Sequence, residues 1–502
     1  MIESAYTRGI ETVPVTVICH VDRDGPQGFD IEGLPEMAIR ETRVRVRSAI
    51  RAAGLDIPKG RVSVVVDPAM PAGSMCTHMD LPIALAVLGL EFPGTVLGAL
   101  SLSGAVRAVP GIACVAEAGA ASLVPIDNFW EARSVGADVR PAASLLETVD
   151  CLRGEAEWPE PSQPIDDDDS RQRQPLCWSD VRGHEQAKRA LEIAAAGGHN
   201  ILLVGPPGTG KTMLARRLPT ILPTMTKAEG AEVTKLHSVA GLLPNSGGLI
   251  TNRPFRSPHH TTSAAALVGG GSYPWPGEVS LAHNGVLFLD ELAEFPRCVL
   301  ETLRQPLEDG FATVTRSRQT VAFPARALLV AALNPCPCGH FGSGDGRCIC
   351  SALQLERYRG RLSGPLLDRI DIQLRLPALS GELLRGAASG DPSTVVRARV
   401  TDARIRQTHR YAGQDIGTAL PTNAEVPMSV LRRVSPLAPE VHDLLLRALD
   451  AWGLSPRAHD RVWRVARTLA DLDGSPDVDL AHLSEALQYR WFDRQGNRAL
   501  AA

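Results

Sequence analysis

A chain of 502 residues exceeds one ordinary hydrophobic core and implies roughly three domains. Its 44% apolar and 22% charged residues exclude a disordered or fibrous protein. A net charge of −4 excludes a uniformly basic surface, and 4% aromatics excludes long rows of base-stacking side chains, so any nucleic-acid contact must come from local patches.

The N-terminus, "MIESAYTRGIETVPVTV", has no apolar core of signal-peptide length. "VPVTVICHV" (13–21) and "RVSVVVDPA" (61–69) read as strands, and "AIRETRVRVRSAIRAAGL" (38–55) as an amphipathic helix stopped by Gly54. The longest apolar run, "LPIALAVLGL" (81–90), falls far short of the ~20 residues that cross a bilayer and reads as a buried helix. No membrane contact and a cytoplasmic location are expected. Six cysteines, Cys19, Cys76, Cys114, Cys151, Cys177 and Cys298, are scattered singly, which suits a reducing compartment. The prolines and acidic run of "WPEPSQPIDDDDSRQRQP" (158–175) read as a solvated linker. The fold class expected is α/β multidomain: a domain at 1–157, a linker at 158–176, a parallel α/β domain at 177–380, and a helical domain at 381–502.

In the second domain, "GPPGTGKT" (205–212) follows the apolar strand "ILLV" and opens a helix. Gly205, Pro206, Pro207, Gly208, Thr209 and Gly210 would curl the backbone so that its N–H groups face phosphate oxygens. Lys211 would reach the β- and γ-phosphates, and the Thr212 hydroxyl would take one Mg²⁺ position. In "NGVLFLDEL" (284–292), a buried strand delivers Asp290 to hold the Mg²⁺ shell and Glu291 to polarise water. A third strand, "ALLVAALNP" (327–335), ends in Asn334, which either orients the attacking water or caps a turn before Pro335. ATP and Mg²⁺ are the ligands expected.

"GFATVTRSRQTVAFPARALLV" (310–330) reads as a β-hairpin with Arg316 and Arg318 near its tip. These arginines are either contacts for nucleic-acid phosphates or a solvated turn. Cys336, Cys338, Cys348 and Cys350 form C-x-C-x₉-C-x-C directly after Asn334. Four thiolates at that spacing suit a tetrahedral Zn²⁺; free thiols, a redox pair and an iron–sulfur centre are the alternatives.

These segments, with "FRSPHHTTS" (255–263), "GEVSLAHNGVLFLDELAEF" (277–295), "RQPLEDG" (304–310), "NPCPCG" (334–339) and "RLSGPLLDRIDI" (361–372), resemble the Mg-chelatase-like branch of the AAA+ ATPases, of the competence-protein ComM (YifB) type. The resemblance implies a homo-hexameric ring with ATP sites between subunits. It makes Arg369 the arginine finger toward the neighbour's γ-phosphate, with Arg359 and Arg361 as possible substitutes and a salt bridge to Asp368 or Asp371 as the structural alternative. It makes Arg457 the second sensor arginine, closing a helical lid on ATP. It carries the hairpin into the ring pore. It also implies a Lon-protease-like α+β fold for residues 1–157. The serine and lysine of such proteases have no match in "MDLPIALAVLG" (79–89) or "VPGIACVAEAG" (109–119), so that domain is expected to be a non-proteolytic scaffold or docking module. The activity implied is an ATP-driven motor on branched or single-stranded DNA, a helicase or branch-migration enzyme. A chelatase-type subunit assisting metal insertion and an ATP-dependent protein remodeller are the alternatives.

Overall fold

The computed structural model describes residues 1–116, 121–162, 176–243, 247–271, 273–316, 319–342, 346–377, 390–414, 416, 421–453 and 455–490, with Arg316 and Gln319 described by backbone alone. Most of the expected linker, the hairpin residues Ser317 and Arg318, and the side chain of Arg316 therefore lie outside the described residues.

The first sheet is mixed. Its seven strands run in the order Gly28–Glu32, Arg61–Asp67, Glu11–Asp22, Ile2–Arg8, Thr95–Val96, Ala121–Pro125 and Asp138–Ala142. The amphipathic segment forms the helix Glu36–Ala52, and the chain leaves it at Gly54, whose φ of +70° few other residues adopt. The apolar run becomes the helix Asp80–Val87, buried at all eight positions. Asp80 is drawn inside with it, held by Arg45 Nε at 2.6 Å and by the Leu100 N–H at 3.2 Å.

The second sheet orders Phe255–Arg256, Val286–Leu289, Leu328–Leu333, Ile201–Val204 and Ile372–Arg375, and every pairing is parallel. Strand residues alternate between two cores, as a pleated strand requires. Ile201, Leu203, Val286, Phe288 and Val330 face one, while Leu202, Val204, Leu287, Leu289 and Leu329 face the other. The first of these cores also takes in Val400 of the helix Ser393–Tyr411, Val465 and Leu469 of Pro456–Leu472, and Leu483 of Leu480–Gln488. The C-terminal helices thus share the sheet's own core. Within the expected helical domain, Pro436 and Pro439 divide the helices Met428–Val434 and Pro439–Trp452.

The hairpin pairs Phe311–Arg316 with Gln319–Pro324 in antiparallel register, Arg316 opposite Gln319. Val314, Val321 and Phe323 pack with Leu236 and with Ile10, in the turn between the first two strands. Gly9 in that turn lies so close that a Cβ there would stand 2.7 Å from Val321 Cγ1. Arg8 donates to the Thr320 carbonyl at 3.3 Å, one rung from the last described pair. The first sheet is further joined to the helix Lys227–Val239 through buried Glu131, which accepts from Ser238 Oγ and, at 2.8 Å, from the Ala113 N–H. No helix among the described residues is long and apolar enough to cross a membrane.

At the N-terminal edge of the second sheet lies a buried polar network. Asp371 is bonded by His199 Nδ1 at 3.1 Å and by Arg461, and His199 Nε2 meets Thr468 Oγ1 at 2.7 Å. Burial alone would raise the Asp371 pKa, but the Arg461 charge and the His199 bond outweigh it and hold the carboxyl below the ordinary carboxylate range. A depressed folded-state pKa contributes stability above the unfolded value of about 4, and the contribution is lost as pH falls through the folded value. Asp371→Ala strands Arg461 and His199 in the interior; a loss of about 3–5 kcal/mol is expected, read as a lower thermal midpoint at neutral pH. An unchanged midpoint would remove the network from the fold's essential contacts.

Candidate active site

The strand Ile201–Val204 is buried on both faces and ends at a loop only glycine could begin, since a Cβ on Gly205 would stand 2.8 Å from the Leu376 carbonyl oxygen. Gly208 and Gly210 take φ of +78° and +81°, which turns the chain back on itself before the helix Lys211–Arg217. Thr209 Oγ1 ties the loop by donating to the Pro206 carbonyl at 2.9 Å. Lys211 is buried beneath it, donating to Gly205 O at 2.6 Å, Pro206 O at 3.0 Å and Asn334 Oδ1 at 3.2 Å. Burial lowers the Lys211 pKa, with the charges of Asp290 and Glu291 acting in the opposite sense.

Asp290 follows the strand Val286–Leu289, and Thr212 Oγ1 donates to its Oδ2 at 2.8 Å. Oxygens held that close together would serve one Mg²⁺ jointly. The donor set, a hydroxyl and a carboxylate, is also the hard-oxygen type Mg²⁺ prefers. Glu291 takes φ of +51°, an uncommon conformation for a non-glycine residue. Its backbone N–H donates to Asp290 Oδ1 at 3.0 Å.

The phosphate loop, Asp290, Glu291 and Asn334 all leave the C-terminal ends of neighbouring parallel strands, which brings the residues expected to act together to one edge. Arg369 does not join them. It precedes the strand Ile372–Arg375, whose Ile372 is paired with Ile201, so it stands at the opposite edge, about 13 Å of strand away. Its backbone carbonyl there accepts from Asn200 Nδ2 at 3.2 Å. The Arg369 guanidinium donates to Pro365 O at 2.7 Å and pairs with Glu308, rather than with Asp368 or Asp371.

Arg457 lies 3.9 Å from Asp368, and on the same helix Arg461 binds Asp371. The helix Pro456–Leu472 is thereby fastened to the edge that carries Arg369, and Arg457 stands there with it. Arg361 is bonded to Glu294 at 3.0 Å, and Arg359 stands over the Phe341 ring at 5.4 Å.

His260, which the sequence offered only within a longer matching segment, lies 3.6 Å from Glu291 and meets His259 at 4.0 Å between ring centroids, the rings tilted by 35°. No local periodicity marks it. The one hint is its position shortly after the edge strand Phe255–Arg256, the neighbour of the strand that ends in Asp290.

The Sγ atoms of Cys336, Cys338, Cys348 and Cys350 lie within 4.8 Å of one another. Cys338 and Cys348 are both part-exposed, whereas Cys336 is buried.

Comparison with known proteins bears on the same segments. Residues 177–384 match the family "Magnesium chelatase, subunit ChlI", 390–490 its "C-terminal" family, and 17–128 "Subunit ChlI of Mg-chelatase". "Uncharacterized protein YifB" of Escherichia coli is 41% identical over 503 residues, spanning 97% of this chain and 96% of the relative. "Competence protein ComM" of Haemophilus influenzae is 39% identical over 513 residues, spanning 98% and 97%. "Magnesium-chelatase 38 kDa subunit" of Rhodobacter capsulatus is 26% identical over 325 residues, spanning 61% of this chain and 84% of the relative.

Proposed function

The chain belongs to the Mg-chelatase-like ComM/YifB family, and from that premise we propose that it is an ATP-hydrolysing AAA+ ring motor that acts on DNA. One observation carries the reading. The phosphate loop and Arg369 occupy opposite edges of one parallel sheet, so a complete site needs Arg369 from a second copy. A closed ring of identical chains, each giving one edge to one neighbour and the other edge to the next, satisfies that need at every interface.

In this reading Lys211 leaves its carbonyl partners for the β- and γ-phosphates, whose charge restores the ammonium that burial disfavours. Thr212 and Asp290 would hold the Mg²⁺, whose charge would offset that of the phosphate oxygens. Glu291 accepts a proton from the attacking water, Asn334 orients that water from beside Lys211, and Arg369 of the neighbouring subunit offsets charge developing on the γ-phosphate. Arg457, fastened beside Arg369, joins the same neighbour-facing edge. His260 stands beside the Glu291 carboxylate, at 3.6 Å.

For the polymer we assign the hairpin a pore contact: Arg316 ends its first strand and Arg318 follows two positions on in the sequence, a pair of cations that would grip phosphates without base readout. The first 157 residues, Lon-like in this reading, serve as a non-proteolytic scaffold, and residues 381–502 as the helical domain. Similarity along nearly the whole chain to the ComM relative, against 61% of it for the chelatase subunit, favours the motor over metal insertion. The four thiolates offer a place for one Zn²⁺, argued below.

Forked or branched DNA is expected to raise ATP turnover, and the purified protein with ATP to migrate or unwind such junctions. Replacing Arg316 and Arg318 together with Ala is expected to bring the ratio of DNA-stimulated to DNA-free turnover down to about one, since phosphate grip is lost. If DNA-free turnover collapses equally, the hairpin does not contact DNA as assigned.

A further inference from the structure

We propose that Cys336, Cys338, Cys348 and Cys350 bind a single Zn²⁺, and that this centre braces the phosphate loop. The metal half stands by itself; the brace half rests on the ATPase reading above.

The sulfurs already have the shape of a one-ion site. Cys336 and Cys348 Sγ are 3.8 Å apart, Cys338 and Cys348 3.7 Å, Cys336 and Cys338 3.3 Å, and all four fall within 4.8 Å. A tetrahedron with Zn–S bonds of 2.3 Å has S···S edges of about 3.8 Å. A polynuclear iron–sulfur cluster distributes its cysteines over several irons and spreads their sulfurs beyond such an edge. Four thiolates with no oxygen donor exclude Mg²⁺ and Ca²⁺ by softness. The Phe341 backbone N–H donates to Cys336 Sγ at 3.2 Å, the kind of outer contact that orients a thiolate ligand.

The loop that carries these sulfurs is sewn to the catalytic edge at three places and covered by the next helix at a fourth. Cys336 is two residues beyond Asn334, whose Oδ1 receives Lys211 Nζ at 3.2 Å. Gly339, at φ +84°, lies against the phosphate loop so closely that a Cβ would stand 2.6 Å from Pro207 Cδ. Arg375, at the end of the strand beside Ile201–Val204, donates to the Gly342 carbonyl. The Arg359 guanidinium covers the Phe341 ring at 5.4 Å. A loop of this length has no strand or helix of its own among its described residues 336–342 and 346–350. Cross-linking its two C-x-C ends through one ion removes the freedom that would otherwise blur Asn334 and Pro207.

The test begins with elemental analysis of the full chain purified under reducing conditions. One zinc per chain is expected, lost in Cys348→Ser/Cys350→Ser. Anaerobic exchange with Co²⁺ is expected to give thiolate-to-cobalt charge-transfer bands and the visible bands of a tetrahedral ion. Absence of bound metal, iron with cluster absorption, or disulfides found by mass spectrometry would each overturn the metal site. Because the double variant can fail to fold, Gly339→Ala probes the brace with all four thiols in place. Zinc content is expected to stay at one per chain while affinity for a fluorescent ATP analogue falls about tenfold. Unchanged affinity overturns the brace alone. If the parent chain binds zinc but no ATP analogue, the ATPase reading has failed and the metal site stands.

Discussion

Glu291→Gln is expected to bind ATP as tightly as the parent chain and to turn it over about 10²–10⁴-fold more slowly, the range a positioned general base contributes. The amide keeps the size and the left-handed backbone position of Glu291 at the strand end but cannot take a proton from water. Asp290, which accepts the Thr212 hydroxyl, is untouched, so nucleotide and metal affinity should persist. Lys211→Ala, by contrast, removes the cation held by two loop carbonyls and by Asn334, and should abolish binding itself. Equilibrium binding of a fluorescent analogue and single-turnover hydrolysis separate the two outcomes. A Gln variant that hydrolyses at the parent rate would remove Glu291 from the chemistry.

Two inactive variants are expected to regain activity when mixed. Arg369→Ala should lower turnover by about 10³–10⁵, the range seen for arginine fingers in other nucleotide hydrolases. Co-assembled with Lys211→Ala, its intact phosphate loop meets the intact Arg369 of the other variant. In a random one-to-one ring about a quarter of the interfaces are then complete. The basis is geometric, since Arg369 precedes a strand in register with the one the phosphate loop follows. If Arg369 serves only to hold Glu308, neither residue crosses an interface and mixing restores nothing. Measured turnover of the mixture, with assembly followed by light scattering, decides between them.

What the sequence disclosed was local. A glycine loop between an apolar strand and a helix, an acidic pair ending a buried strand, and four cysteines in fifteen positions are each written within a few residues of one another. Their physical requirements, positive φ at Gly208 and Gly210 and full burial of Val286–Leu289, are requirements on short segments. Contacts between distant segments were not legible. Asp371 meets His199 across 172 positions, Arg369 meets Glu308 across 61, and His260 reaches Glu291 from the segment after the neighbouring strand. No periodicity encodes such meetings, because they follow from strand order. The helix that carries Arg457 was legible in the same local way, whereas the edge it packs on was not.

The hairpin's seat on the Gly9–Ile10 turn has a mechanical consequence. A protrusion anchored only at its root would flex under load, but this one is buttressed near its tip by a separate sheet. Any push on the tip is delivered to that sheet as to an abutment, and from there, through Glu131 and Ser238, back into the body that carries the catalytic edge.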